Sequence, residues 1–340
     1  MEIDRIHFYV VDALHTRNLF IEKIGLQALA TTVNEHTIEY LIGKDRLLFS
    51  IASPLTAASP VADYLNLHPS GVKDVSFRVS ELDAIRERIE SLNIEVLSTS
   101  STTDDLEWLK IRGWGAIEHT ICQAKSGSID SHLLDLDRTI TGIDHLVLNV
   151  AVGDLEPATN WYRDLFDLKI KQTFNIHTPT SGLASKALIS SCGKIRFNIN
   201  EPSSSNSQIQ NFLDLNRGTG IQHIALQTND VFSTVDRLQQ QELAFLSIPP
   251  TYYTNLRNRA DSERNSLLTN DEWQQLERLQ ILMDWSSVTP TEILLQIFTQ
   301  PIFESPTFFF EFIERRNRAQ GFGQGNFQAL FEAIEEYNSI

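Results

Sequence analysis

The stretch IDRIHFYV at residues 3–10 returns as IDHLVLNV at 143–150, and GVKDVSF at 71–77 returns as GIQHIAL at 220–226. Each copy is an apolar, alternating segment that reads as a β-strand. Each is followed by a polar break and then by apolar residues at helical spacing. After 143–150, Trp161, Tyr162, Leu165 and Phe166 make one stripe. After 71–77, Leu82, Ile85, Ile89 and Leu92 make another, with Ser80 expected as the N-cap. Short alternating runs follow, such as KALISS, KIRFNIN and EILLQIFTQ, and these read as further strands. A unit of strand, helix and several strands is thus used four times. The chain is expected to be α+β and built as two tandem halves. The serine- and acid-rich stretch at 123–141 reads as the link, so the halves are expected at 1–135 and 136–340.

A length of 340 residues suffices for two such domains. The formal net charge of −16 argues against an electrostatic grip on nucleic acid or an anionic membrane surface. No apolar run approaches the roughly 20 residues of a membrane span, and the first residues lack the pattern of a secretory signal. The two cysteines, Cys122 and Cys192, form no CxxC pair, so neither a disulfide framework nor a structural zinc site is expected. A cytoplasmic protein acting on a small molecule is the expectation.

Aligning the halves sets Arg5 against His145 and Asp74 against His223. One half therefore carries two histidines at equivalent points of the repeat, where the other carries none. Strand alternation puts Ile224 and Leu226 on the face that a following helix covers. It turns His223, and likewise His145, to the other side, into the concavity of a curved sheet. Glu311 stands in the run SPTFFFEFIERR. An ionised carboxylate among phenylalanines is costly unless it meets a cation or donors. Arg315 or Arg316 could meet it, and so could a metal. Two imidazoles and one carboxylate with open positions are the facial triad of non-haem Fe(II) oxygenases, and zinc takes the same ligands. The remaining histidines, at 7, 15, 36, 68, 119, 132 and 177, show no such symmetry and read as structural or exposed. Asn198 and Asn200 share one strand face, and Gln296 and Phe298 share another, on a strand expected to pair with that of Glu311.

The second half resembles the 4-hydroxyphenylpyruvate dioxygenases. The resemblance rests on IDHLVLNV, SGLASKAL, NINEP, SQIQNFL, GIQHIAL, IPPTYYTNL, LLQIFTQP, FFFEFIERR and GFGQGNFQALFEAIE, in the family's order and spacing. The first half is similar more loosely, through FYVVDA and SGVKDVSFRV. The resemblance implies paired βαβββ modules of the vicinal oxygen chelate type. It also implies curved mixed sheets forming open barrels, a first domain without a metal site and a C-terminal helix as lid. It implies Fe(II) on His145, His223 and Glu311. Gln208, Gln296 and Asn200 would orient the reacting substrate, Ser185 and Gln222 would contact it, and Phe298, Phe322, Phe327 and Phe331 would form an aromatic wall and gate. Alternation turns Gln222 away from His223, in tension with that assignment.

The implied reaction takes 4-hydroxyphenylpyruvate, an aromatic 2-oxo acid, and O2 to homogentisate and CO2. The implied assembly is a homo-oligomer, dimer or tetramer. 4-Hydroxymandelate synthase, which shares the substrate and hydroxylates the benzylic carbon, is the alternative within the fold, and a non-catalytic aromatic binder is the alternative outside enzymes. Asn198 stands where many members have proline, and SSVTPTEILLQ lacks their usual Gly-Tyr.

Overall fold

A computed structural model describes residues 1–100, 106–124, 139–177, 182–262, 268–286, 289–327 and 329. The first sheet has eight strands: β1 (Glu2–Tyr9), β2 (Gln27–Val33), β3 (Thr37–Lys44), β4 (Leu47–Pro54), β5 (Gly71–Arg78), β6 (Val96–Thr99), β7 (Leu106–Arg112) and β8 (Glu118–Ala124). The second has β9 (Ile140–Asn149), β10 (Leu168–His177), β11 (Gly182–Ser190), β12 (Arg196–Pro202), β13 (Gly220–Thr228), β14 (Leu282–Trp285), β15 (Ile293–Phe298) and β16 (Phe309–Arg316). The strand orders are the same: β2-β3-β4-β1-β5-β8-β7-β6 in one and β10-β11-β12-β9-β13-β16-β15-β14 in the other. The repeated sequences form the two central strands of each sheet, β1 with β5 and β9 with β13. Both sheets are mixed, since β1 runs parallel to β4 and antiparallel to β5, and β9 runs parallel to β12.

The helices are α1 (Ala13–Leu19), α2 (Pro60–Leu67), α3 (Leu82–Ser91), α4 (Leu155–Phe166), α5 (Gln208–Asn216), α6 (Val231–Gln240), α7 (Pro250–Ser262) and α8 (Asn270–Arg278). In α4, Tyr162, Leu165 and Phe166 are buried as their spacing predicts, and the Tyr162 ring lies 4.5 Å from that of Phe197 on β12. This contact fixes the helix-covered face of β12 and turns Asn198 and Asn200 to the other. Ser80 does not cap α3. The N-cap is Glu81, without a side-chain bond, and the first amide, Leu82 N–H, donates instead to Gln123 Oε1 of β8. A donor at a helix start needs an acceptor, and here a distant strand supplies it.

Backbone contacts group β1–β8, α1–α5, β9–β12 and the front of β13 in one compact unit. The rest of β13, β14–β16 and α6–α8 fall in another. No described helix is long and apolar enough to cross a membrane.

Candidate metal centre

His145 stands in mid-β9 and His223 in mid-β13, both buried, with ring centroids 5.8 Å apart. His145 Nδ1 lies 2.9 Å from Asp144 Oδ1, and Arg196 donates to the other carboxylate oxygen of Asp144 at 3.3 Å. A carboxylate only accepts, so Nδ1 carries the proton. The lone pair of His145 is then on Nε2, the atom a metal would take.

Glu311 stands in β16 and is 1% exposed. The two arginines considered for it have other partners. Arg315 donates to the carbonyls of Ala319 and Gly321, and Arg316 pairs with Glu314 and Glu272. Instead Gln296 Nε2 donates to Glu311 Oε1 at 2.8 Å. The antiparallel register of β15 and β16, with Phe298 opposite Glu311, puts the amide one diagonal step away on the same face. One ligand atom each from His145, His223 and Glu311 lie within 4.8 Å of one another. Two imidazoles and one carboxylate, all buried, match the donor set of a divalent metal with open positions.

The same face carries a row of polar groups. The register sets Ser185 of β11 opposite Asn200 of β12, and Asn200 opposite Asn149 of β9. Asn200 Nδ2 donates to Asn149 Oδ1 at 3.2 Å. Ser185 Oγ, Asn198 Oδ1 and Asn149 Nδ2 are buried without a hydrogen-bond partner among the described residues. Buried polar atoms are rarely left so, and three on one face mark where a polar ligand would sit. Asn149 and Asp144 were not singled out from sequence. The Asp-His dipeptide in IDHLVLNV was the available signal for the second.

Gln208 opens α5 and is buried. Gln222 precedes His223 in β13 and is half-buried, on the alternate face. Phe298 and Phe322 are buried, and Phe327 is half-buried at the end of a 3-10 turn at Gln324–Asn326. Phe331 and the helix expected to act as a lid lie outside the described residues.

In the first sheet the position equivalent to His223 holds Asp74, 1% exposed. It accepts from Thr120 N–H and Oγ1 and from Ser76 Oγ, and it pairs with Lys110 Nζ at 3.2 Å. Burial pushes its carboxyl up, but Lys110 and Thr120 more than offset this and hold it below the usual range. An internal ammonium meets the buried acid there.

Two strand-matched sheets of repeated modules, one carrying a two-histidine, one-carboxylate group, define a vicinal oxygen chelate protein. Residues 142–268 match the Glyoxalase/Bleomycin resistance protein/Dioxygenase superfamily. A variant of 4-hydroxymandelate synthase from Streptomyces coelicolor shares the fold, with a TM-score of 0.87 at 24% identity, over 99% of this chain and 98% of that one. An uncharacterized protein of Synechocystis sp. is 37% identical over 98% of this chain and 97% of its own length. The 4-hydroxyphenylpyruvate dioxygenase of Dictyostelium discoideum is 32% identical over 98% of this chain and 96% of its own. The chain belongs to the 4-hydroxyphenylpyruvate dioxygenase family.

Proposed function

We propose that this chain converts 4-hydroxyphenylpyruvate and O2 to homogentisate and CO2. The observation that carries the reading is the buried group of His145, His223 and Glu311, on a sheet face where Ser185 Oγ, Asn198 Oδ1 and Asn149 Nδ2 lack hydrogen-bond partners among the described residues. The three side chains would hold a ferrous ion, which would supply the activation of O2. The oxo acid side chain is itself the source of electrons, so neither a reductant nor a second oxo acid is needed.

The chain's own residues would bind and orient. Ser185, Asn149 and Asn200 offer hydroxyl and amide groups to a polar substrate without adding charge. Gln296 is already committed to Glu311, so its work is to hold that carboxylate and present its amide edge. Gln208 is a further amide for the substrate, whereas alternation turns Gln222 to the other face of β13. Phe298, Phe322 and Phe327 would wall the ring and exclude water. The Dictyostelium relative's name carries the same substrate.

The test is chromatographic identification of the product from 4-hydroxyphenylpyruvate under air, with added ferrous ion. Homogentisate supports the reading. Hydroxymandelate would assign the chain to the benzylic reaction, and unchanged substrate would leave a binder.

A further inference from the structure

A chain of hydrogen bonds links α7 and the turn at Gln324–Asn326 to the ligand carboxylate. Met283 N–H donates to Tyr252 Oη at 2.8 Å, and Tyr252 O–H donates to Asn326 Oδ1 at 2.8 Å. Asn326 Nδ2 donates to Gln296 Oε1 at 2.8 Å, and Gln296 Nε2 donates to Glu311 Oε1 at 2.8 Å. Asn326, Gln296 and Glu311 are each at most 2% exposed, so water cannot readily substitute for a missing member.

The polarity of this chain is fixed from the carboxylate end. Ionised Glu311 can only accept, so Gln296 must present Nε2 to it. The Gln296 carbonyl then faces Asn326, which must present Nδ2. Its own carbonyl then faces Tyr252, which must donate. At the far end the phenol accepts from Met283 N–H, and Met283 O at 3.1 Å is a second, longer acceptor for its one proton. Reversing Gln296 would set acceptor against acceptor at Glu311 and donor against donor at Asn326, and reversing Asn326 would set two acceptors face to face at Gln296. Gly323 keeps the approach open. It has φ +73, and a Cβ there would lie 1.7 Å from Gln296 Oε1, so the turn closes on the amide only with glycine at this position.

We propose that Asn326 and Tyr252 are positioning residues for the metal centre, holding the Gln296 amide so that Glu311 is presented in its ligating orientation. The proposal rests on the reading that His145, His223 and Glu311 hold a divalent ion. It also makes the docked C-terminal turn part of the ligand set's support, although no residue of that turn is a ligand.

Cobalt(II) titration of the full chain, followed by calorimetry and by the visible ligand-field bands, tests it without recourse to turnover. Asn326→Asp keeps shape but replaces the donor facing Gln296 Oε1 by an acceptor, which forces the amide to reverse. Tyr252→Phe removes one oxygen and leaves the ring packed. Wild type should bind one cobalt per chain. N326D should bind it about 10- to 100-fold more weakly and with altered bands, and Y252F about tenfold more weakly, the range seen when outer-shell partners of metal ligands are lost. Wild-type affinity and spectrum in both variants would overturn the coupling while leaving the metal centre standing. Folded wild type that binds no cobalt would overturn the metal centre itself. Should N326D fail to fold, Y252F decides the matter alone.

Discussion

His145 and Asp144 are neighbours in sequence, and their side chains meet at 2.9 Å, Nδ1 to Oδ1, with both groups out of solvent. Asp144 accepts on its second oxygen from Arg196. Asparagine has one acceptor oxygen and cannot serve both donors. Asp144→Asn is therefore expected to loosen the tautomer and orientation of His145. Metal affinity, read by calorimetric titration, should fall about 10- to 100-fold. An unchanged isotherm would show that the strand alone positions the imidazole.

Ser185 Oγ is fully buried with no hydrogen-bond partner among the described residues. Removing an unsatisfied buried hydroxyl costs the fold little. Ser185→Ala is expected to leave the thermal midpoint unchanged or slightly raised. If the hydroxyl meets substrate, KM should rise about tenfold, the equivalent of one hydrogen bond of roughly 1–1.5 kcal/mol. Steady-state kinetics together with a thermal melt separate the two effects.

His119 of β8 is a satisfied core histidine. Its Nδ1–H donates to Val75 O at 3.1 Å, and Nε2 accepts from Tyr162 Oη at 3.0 Å. Complete burial lowers its pKa from 6.5 to about 4. Between those values the unfolded chain binds more protons than the folded one, so stability falls as pH falls. The loss between pH 7 and pH 5 should be about 2 kcal/mol from this group. Urea midpoints across that range should show it, and His119→Gln should flatten the slope.

Lys110 neutralises the buried acid that stands in the first sheet at the position equivalent to His223. Its Nζ lies 3.2 Å from Asp74 and 3.5 Å from Glu118. Lys110→Met keeps most of the volume and removes the charge. Leaving Asp74 buried without its cation should cost about 3 kcal/mol, measured as a lowered denaturant midpoint. A midpoint within the error of wild type would mean that Thr120 and Ser76 suffice for the carboxylate.

The tandem halves were legible because the apolar pattern of β1 and β5 recurs in β9 and β13, with the opening Ile-Asp and Gly kept, and short-period alternation marks strands locally. The triad was legible because histidines appear at both matched positions of one half and because an acid among phenylalanines demands a partner. What that partner is was not legible. Arg315 and Arg316 are near Glu311 in sequence, whereas Gln296 reaches it only through the register of β15 on β16. The Gln123 cap on α3, the Asn149–Asn200 pair and the Tyr252–Asn326 bond are likewise long-range. Periodicity ranks faces, but it does not say which side chain across a sheet or turn ends up within 3 Å.

The central claim is a metal-dependent dioxygenase centred on two imidazoles and one carboxylate. Oxygen-electrode recording with 4-hydroxyphenylpyruvate, as ferrous ion is titrated into metal-stripped protein, tests it most directly. Oxygen uptake should be absent without iron, rise to a plateau at one ferrous ion per chain, and be abolished in His223→Ala. No uptake by folded, iron-loaded wild type, or undiminished uptake by His223→Ala, would contradict it.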